Sequence, residues 1–589
     1  MSPILRTLIP LVSTISLFVG PVSAQRRALA PEIEINQATL MSGGYPFRKV
    51  VESGRHLFST PFTTDDAYGE GPDGPRLSTQ SIYGAPGFGY LRLNGLDAQS
   101  CFECHFTIGS DHLFDTQSQA LSRKVGVMAG AGGIAANVFN NPSFPDPLVT
   151  FIRNPPHVFG AGYTQQLAEE MTLELMAQRD AARLAAMDAP DAPVIAHFKS
   201  KGSSYGSGEF VYTGGKAPSD PKAVLLGNPK AAFSEDYANL EGVSEDLVIR
   251  PFQWKGIASN ARNFVKDALN FHFSVQAEER WYRAVGGAIV ITQTDQDRDG
   301  VHNELQPGNV TALTAFVLSV RPPARQIPAG LESVAVRGED LFLGNDPAFP
   351  QGSQSCASCH VPSLTMRFTE ANIIDPTNPD NIDKIVEGPP SISSARRSAL
   401  DLPVAKRYRA LLAGLKEEDF HPGRFASAVF LNGGDKGARP TGMTFDLTDI
   451  PDALPLSFPR LPENATGEVA VPLFSDLKRH RMGTSLTDVA PQQTDVAGVF
   501  VPADEFLTRP LWGVADTGPW LHDGRALTLR EAIVLHKSEG SEANPSVEIF
   551  EALSTEDQGA LITFLLTFRL PEESVYAKGE GLKSGWVLR

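Results

Sequence analysis

Two short runs, Cys101-Phe102-Glu103-Cys104-His105 and Cys356-Ala357-Ser358-Cys359-His360, decide how this chain is interpreted. Each run has the Cys-x-x-Cys-His spacing at which a c-type haem is attached. Two thiols three positions apart lie on one face of a helical turn, where each can form a thioether with a haem vinyl group. The histidine that follows then coordinates the iron as the proximal ligand.

The chain has four cysteines, and the two runs use all of them. A disulfide or zinc site would leave the adjacent histidines unexplained, and a thioredoxin-like site would not be duplicated with a histidine after each second cysteine. The sequence therefore predicts two covalently bound haem c groups. The predicted attachment residues are Cys101, Cys104, Cys356 and Cys359, and the predicted iron ligands are His105 and His360.

The first 24 residues have the pattern of a secretory signal. Arg6 is followed by an apolar stretch over residues 8–19, and small residues end at Ala24. An uncleaved anchor helix is the alternative, but the apolar stretch is short and is interrupted by Ser and Thr. We expect cleavage after Ala24 and a periplasmic or secreted protein with no membrane span after cleavage.

The formal net charge of the chain is −17. Such a negative surface argues against nucleic acids and anionic membranes as partners, because both carry the same sign of charge. It favours a basic or neutral periplasmic redox protein as electron donor.

Similar segments surround the two haem motifs. A short amphipathic segment with a Leu-Phe pair precedes each motif, at residues 54–58 and 338–342. An apolar helix is predicted to close each unit, over residues 310–320 and 554–569, with Ser554 as the N-cap of the second. These parallels indicate an internal duplication.

We therefore predict a mainly α fold of two c-type cytochrome haem domains in tandem, with long ordered loop insertions. The predicted domains cover residues 25–324 and 333–589, after a signal peptide at residues 1–24. Within the insertions, residues 165–187 are predicted to form a surface helix with charged outer positions. Residues 210–212 give one of few strand signals.

The C-terminal unit contains a dense run over residues 520–525, Trp-Leu-His-Asp-Gly-Arg, and then a helix that carries His536. Ala532, Ile533 and His536 fall on one face of this helix, from which a histidine can reach an iron. An iron with two histidine ligands has no open site, so it stores or passes electrons. Arg525 is expected to neutralise a haem propionate. A helix-end histidine that interacts with the helix dipole is the alternative for His536, and the rival iron ligands are His480, Met482 and Met366.

This run, together with both haem motifs, resembles the bacterial di-haem cytochrome c peroxidases and the di-haem enzyme of methylamine utilisation. The likeness is more extensive to the di-haem thiol-oxidase-like peroxidases and the di-haem rubber oxygenases, from about residue 50 to about residue 570. It implies that His536 is the second axial ligand of the C-terminal haem, where the peroxidases have Met and the methylamine enzyme has Tyr.

The resemblance also covers residues 250–256, Arg-Pro-Phe-Gln-Trp-Lys-Gly, and implies that Trp254 lies between the two haems. A Trp at that position bridges electron transfer, and it can also serve as an ordinary core aromatic. In the relatives, the helix over residues 260–273 lines the distal face of the first haem. Here it offers Phe264, Phe271, His272 and Phe273, and no Glu stands at the position of the peroxidase acid/base. His272 is therefore a candidate catalytic acid/base, a sixth iron ligand, or a hydrogen-bonded pocket histidine without a redox role.

Asp295, Asp297 and Asp299 alternate ahead of Gly300, a pattern that supplies hard oxygen ligands for one calcium ion. The twelfth position of the loop is Gln306 instead of the bidentate Glu of an EF-hand, and Glu304 can substitute. A solvated acidic turn is the alternative.

Together these patterns predict a periplasmic di-haem oxidoreductase of the peroxidase type. The haem on His105 would react with a small-molecule oxidant, peroxide or dioxygen, and the haem on His360 and His536 would hold electrons. A haem-dependent oxygenase of the rubber-oxygenase type and a pure electron-transfer cytochrome are the alternatives.

Overall fold

The fold is that of a computed structural model, which describes residues 34–569 with gaps, the longest at residues 106–136 and 382–441. The predicted signal peptide lies outside the described residues. No helix in the described ranges is both long and apolar enough to cross a membrane.

The described elements are short and alternate along the chain. The helices are α1 (Gln37–Met41), α2 (Phe47–Ser59), α3 (Ala161–Asp188), α4 (Pro221–Leu226), α5 (Pro229–Ala232), α6 (Ala261–Ala268), α7 (Pro307–Ser319), α8 (Glu332–Leu343), α9 (Leu529–Leu535), α10 (Asn544–Ala552) and α11 (Thr555–Leu565). The strands are β1 (Leu77–Gln80), β2 (Pro86–Leu91), β3 (Asn137–Asn140), β4 (Leu148–Phe151), β5 (Val194–Ser200), β6 (Ser203–Tyr212), β7 (Phe233–Leu240), β8 (Tyr282–Val285), β9 (Ala288–Ile291), β10 (Leu364–Met366), β11 (Glu370–Ile374), β12 (Gly442–Asp446), β13 (Val469–Val471), β14 (Arg479–Arg481), β15 (Gln492–Gln493), β16 (Phe500–Val501) and β17 (Glu505–Leu507).

The predicted mainly α fold is wrong, because the described part of the chain is mixed α/β, with 36% helical and 18% strand residues. Its strands form small antiparallel sheets: β5-β6-β7 is three-stranded, and the other described sheets are strand pairs. Several pairs join distant segments, such as β10 with β13 and β11 with β12. Strands this short carry little alternation, so the sequence pattern missed most of them.

Two helix pairs, α2 with α7 and α8 with α11, repeat the same contact. A Cβ added at Gly54 of α2 would lie 1.9 Å from the Ala312 carbonyl oxygen of α7, and one added at Gly338 of α8 would lie 2.0 Å from the Ala560 carbonyl oxygen of α11. Each glycine therefore allows the backbones of its pair to touch. Ser554 caps α11, the second helix of the second pair, and its side chain accepts a hydrogen bond from the Asp557 N–H.

Helix α3 covers the segment predicted as a surface helix, and that prediction is wrong, because most of the helix is buried. Its charged residues have partners inside the protein. Glu170 forms an ion pair with Lys201 and accepts hydrogen bonds from the backbone N–H groups of Arg367 and Phe368. Since paired charges can be buried at acceptable cost, charge along a helix did not indicate exposure.

The helix predicted over residues 260–273 is divided in two. Asn260 caps α6 by accepting from the Asn263 N–H, and the chain then continues as a π-helix over Leu269–Phe273. Arg262 of α6 donates to Glu279, Thr311 and the Pro307 carbonyl. These contacts hold the start of the segment against α7, while its end adopts a geometry that is common at functional sites.

Candidate functional site

The two Cys-x-x-Cys-His runs form the same turn. The His105 backbone N–H donates to the Cys101 carbonyl at 2.9 Å, and the His360 N–H donates to the Cys356 carbonyl at 2.9 Å. All four cysteines are free thiols. Each run therefore presents two thiols from one helical turn, as a haem attachment site requires.

Both histidines of these runs are fixed by a backbone carbonyl. The His360 Nδ1–H donates to the Phe474 carbonyl at 3.0 Å, and the His105 ring donates to the carbonyl of Pro156. Burial lowers the pKa of each imidazole to about 4. Each ring is thus neutral at pH 7, and one N–H is engaged, which is the state in which the other nitrogen can bind a metal.

A phenylalanine from the preceding helix lies beside each histidine. The Phe58 ring centroid is 6.3 Å from that of His105, and the Phe342 centroid is 6.2 Å from that of His360. These are the Phe residues of the two predicted Leu-Phe pairs. The repeat therefore extends from the sequence to the surroundings of the two histidines.

One cavity of about 320 Å³ connects the two motifs. Cys104 and His105 line it together with Cys356, Cys359 and His360. Two neutral histidines, free thiols and a shared buried space fit the residues needed to hold two haem groups.

His536 lines the same cavity at the C-terminal end of α9. Its Nδ1–H donates to the Ala532 carbonyl at 2.6 Å, which leaves Nε2 available, and burial lowers its pKa. A capping box of Thr528 and Glu531 fixes the start of the helix. The side chain can therefore offer Nε2 to a metal in the cavity, and its closeness to His360 contributes to the lowered pKa of His360.

The three rival ligands differ in position. His480 uses both ring nitrogens, each 2.8 Å from a carboxylate, of Asp476 and of Glu542. Met366 is buried in β10 and is not among the cavity-lining residues, whereas Met482 lines the cavity. Among the three, Met482 alone combines a free ligand atom with a place on the cavity wall.

Trp254 lines the cavity at a tight turn. Gly256 has a φ of +59°, and the Trp254 indole N–H donates to the Asn154 carbonyl. The next residue, Lys255, is anchored by hydrogen bonds to the carbonyls of Ala503 and Glu505 at 2.9 and 2.7 Å. The turn thus holds the indole in a fixed orientation on the wall shared by the two motifs.

His272 lies in the π-helix, with its ring centroid 4.9 Å from that of Phe271. It is not among the cavity-lining residues, but its proximity contributes to the lowered pKa of His105. The stretch is aromatic on both sides, since Phe273 stacks on Phe62 at 5.4 Å.

Arg525, the predicted propionate partner, is not among the cavity-lining residues. Its guanidinium forms an ion pair with Asp523 at 2.5 Å. The sequence interpretation missed two other residues on the cavity wall, Arg509 and His157. A lone His after Pro156 gives no periodic or motif signal, whereas Arg509 stands in the dense C-terminal run that also contains Trp512, but the sequence assigns it no role.

The acidic loop is described only in part, and Asp297 and Asp299 lie outside the described residues. Asp295 Oδ2 accepts from the Gly300 N–H at 3.3 Å, and Gly300 has a φ of +91°. Asp295 Oδ1 is shielded from solvent and accepts no hydrogen bond from the described residues. The side chain of Glu304, which follows the loop in the sequence, accepts a hydrogen bond from the Gln276 N–H.

Residues 463–568 match the family described as "Di-haem oxidoreductase, putative peroxidase". The match spans under a fifth of the chain and includes Arg509, the Trp520–Arg525 run and His536. It ends after α11, one residue before Arg569, the last described residue. No curated protein matches the chain. The match supports the resemblance to di-haem peroxidase-like proteins and does not reach the narrower likeness to thiol-oxidase-like proteins or rubber oxygenases. The prediction of a di-haem oxidoreductase is confirmed on this match.

Proposed function

We propose that the chain is a periplasmic di-haem c-type oxidoreductase of the peroxidase type. The first haem would be attached at Cys101 and Cys104 and the second at Cys356 and Cys359. The observation that carries this proposal is the single cavity lined by both histidines, His105 and His360. When bound, the haems would supply redox-active iron.

In this proposal the chain makes the two sites unequal. His536 offers Nε2 to the second site, which would close it to small molecules and leave it to electron transfer. At the first site, His272 is close enough to His105 to contribute to its lowered pKa. An imidazole there can take a proton from a bound peroxide and return it to the leaving oxygen.

In this proposal, Trp254 would mediate electron transfer between the two haem sites. Its indole lies on the shared wall, and its N–H is held by the Asn154 carbonyl. Because a carbonyl cannot accept the proton outright, the indole keeps it while its ring mediates electron transfer.

An oxygenase is the second candidate, and the aromatic π-helix favours it. Phe271 and Phe273 flank His272, and Phe62 stacks on Phe273. Apolar surroundings would suit an apolar substrate next to bound dioxygen. An oxygenase would bind dioxygen in the reduced state and consume it with substrate, whereas a peroxidase would consume peroxide and electrons.

The test is to purify the exported protein and count haems by the pyridine haemochrome assay, then count high-spin and low-spin irons by ferric EPR. We expect two covalent haems, one high-spin and able to bind carbon monoxide when reduced, and one low-spin. If both are low-spin and neither binds cyanide or carbon monoxide, the electron-carrier alternative replaces the enzyme.

We also propose one calcium ion in the acidic loop. The support is Asp295 Oδ1, a shielded carboxylate oxygen that accepts no hydrogen bond from the described part of the loop. Removal of calcium with a chelator should lower the melting temperature of the wild type and leave Asp295→Asn unaffected. Equal responses of the two proteins would refute the site.

The proposed donor is a basic or neutral periplasmic redox protein, since the chain carries a net charge of −17. Electron transfer from a basic donor should slow as ionic strength rises, because salt screens the attraction between opposite charges. A rate independent of salt would argue against a charged docking surface.

We also propose cleavage of the signal peptide after Ala24. The exported protein should then begin at Gln25, which N-terminal sequencing would determine.

A further inference from the structure

Arg509 is a cation in the cavity wall without an anionic partner among the described residues. Its guanidinium donates to the Pro251 carbonyl at 3.0 Å and makes a longer contact, 3.5 Å, with the His157 carbonyl. Its Nε–H is shielded from solvent and has no acceptor among the described residues. Burial lowers its pKa to about 10, and no carboxylate opposes that shift.

Arg250, a fully buried arginine, shows what half-buried Arg509 lacks. Arg250 forms ion pairs with Asp246 and Asp495, each at 2.6 Å, and its pKa is raised instead of lowered. Burying a charge without a partner costs several kcal/mol, and the cost falls when an opposite charge and hydrogen bonds are supplied. The surroundings of Arg509 therefore call for an anion from outside the described chain.

His157, the other polar residue beside Arg509, does not supply a negative charge. Its Nε2–H donates to the Pro510 carbonyl at 3.0 Å, so its Nδ1 carries a lone pair, and burial lowers its pKa to about 3. The ring is neutral at every pH near 7. It therefore leaves the charge of Arg509 uncompensated.

Arg509 lies on the side of the cavity where the first motif is held. Its guanidinium contacts the His157 carbonyl, and the carbonyl of the preceding residue, Pro156, accepts a hydrogen bond from the His105 ring. The anion is thus expected beside the first haem.

We propose that Arg509 binds a propionate carboxylate of the haem attached at Cys101 and Cys104; this rests on the proposed di-haem function. A guanidinium has five N–H groups, and the described acceptors use two of them. The remaining donors include Nε–H and a terminal N–H, which can bind a carboxylate through two parallel hydrogen bonds. Arg525 is the weaker candidate, because Asp523 already balances its charge.

The pairing has a consequence for the first iron. A positive charge beside the haem favours the reduced iron, which carries one positive charge less. Removal of Arg509 would also leave the propionate as an unpaired anion. Both changes should lower the reduction potential of the first haem and leave the second haem nearly unchanged.

The experiment is a spectroelectrochemical titration of the purified holoprotein and of Arg509→Gln, with haem content measured separately. At a fixed applied potential, we expect Arg509→Gln to lower the reduced-to-oxidised ratio of the first haem about tenfold, equivalent to about 59 mV for one electron. Arg509→Met is the second uncharged variant in case Arg509→Gln cannot be purified. Arg530→Gln, at an exposed helix position outside the cavity, is the matched control and should leave the ratio unchanged.

Several outcomes would overturn the proposal. An unchanged ratio in both uncharged variants, each with two haems, would do so, and a fall in Arg525→Gln alone would transfer the role to Arg525. Acetate is the probe for a free carboxylate: a saturable shift of the wild-type spectrum that is lost in Arg509→Gln would assign the site to an external ligand. A wild-type protein with fewer than two haems would instead refute the proposed function.

Discussion

At His105 and at His360 the chain forms the same frame, in which a carbonyl holds the imidazole and a phenylalanine lies about 6 Å away. The charges around the two frames differ. The first frame faces Arg509 without a carboxylate partner, while the second adjoins His480 between the carboxylates of Asp476 and Glu542. In the proposed function, the duplicated frame would account for haem attachment, and the unequal surroundings would account for a division of roles.

The largest expected effect tests the closed second site. His536→Ala should convert the C-terminal haem fully from low-spin to high-spin and leave both haems attached, because attachment depends on the thioethers. Ferric EPR of the purified variant measures the change. Met482→Ala is the matched control, since Met482 also lines the cavity. If Met482→Ala converts the spin state and His536→Ala does not, the ligand is Met482.

The next effect tests the first site. His272→Ala should lower peroxide turnover by roughly a hundredfold or more, the usual loss when a catalytic acid/base is removed. The exposed His197 on β5 supplies the control substitution, His197→Ala, which should leave turnover unchanged. A gain of peroxide reactivity in His272→Ala would instead identify His272 as an iron ligand.

The repeated helix contact predicts equal losses of stability in the two halves. Gly54→Ala and Gly338→Ala should each lower the free energy of unfolding by about 1–3 kcal/mol or more, because the new Cβ meets a backbone carbonyl that cannot yield. Gly559→Ala is the control, since nothing lies within 4 Å of its Cβ. Urea unfolding of the holoproteins gives the three values. A loss at only one glycine would contradict the repeat.

The smallest effect concerns the charged cluster at the second site. Although burial works against the charged form, hydrogen bonds to Asp476, Cys359 and Glu542 raise the pKa of His480 to about 12. A raised pKa stabilises the fold fully below the unfolded value near 6.5, and this stability is lost gradually as pH rises towards 12. The free energy of unfolding of the wild type should therefore fall as the pH rises above 7. His480→Gln should show a flatter pH dependence of unfolding in urea, and identical slopes would contradict the protonated state.

The haem motifs, the Leu-Phe pairs and the capped helices could be predicted from the sequence, because each depends on residues close together in the chain. The strand at residues 210–212 was also predicted, since it lies in β6, one of the longer strands. The pairings of β10 with β13 and of β11 with β12 depend on segments far apart, and the burial of α3 depends on Lys201 and the backbone of residues 367–368. Arg509 is a similar case, because its importance comes from the carboxylate that it lacks. No pattern in a single sequence reports an absent partner.

The close helix contacts also bear on the order of assembly. Gly54 meets a helix more than 250 residues later in the chain, and Gly338 meets one more than 200 residues later. In both cases the Cys-x-x-Cys-His run lies between the two partners along the chain. Such distant contacts form late, since a long loop must close first. Each pair of thiols would therefore be accessible well before its helix pair can close around it. If the protein is exported and carries covalent haem as proposed, this interval is when the haems would be attached to an unfolded cysteine segment.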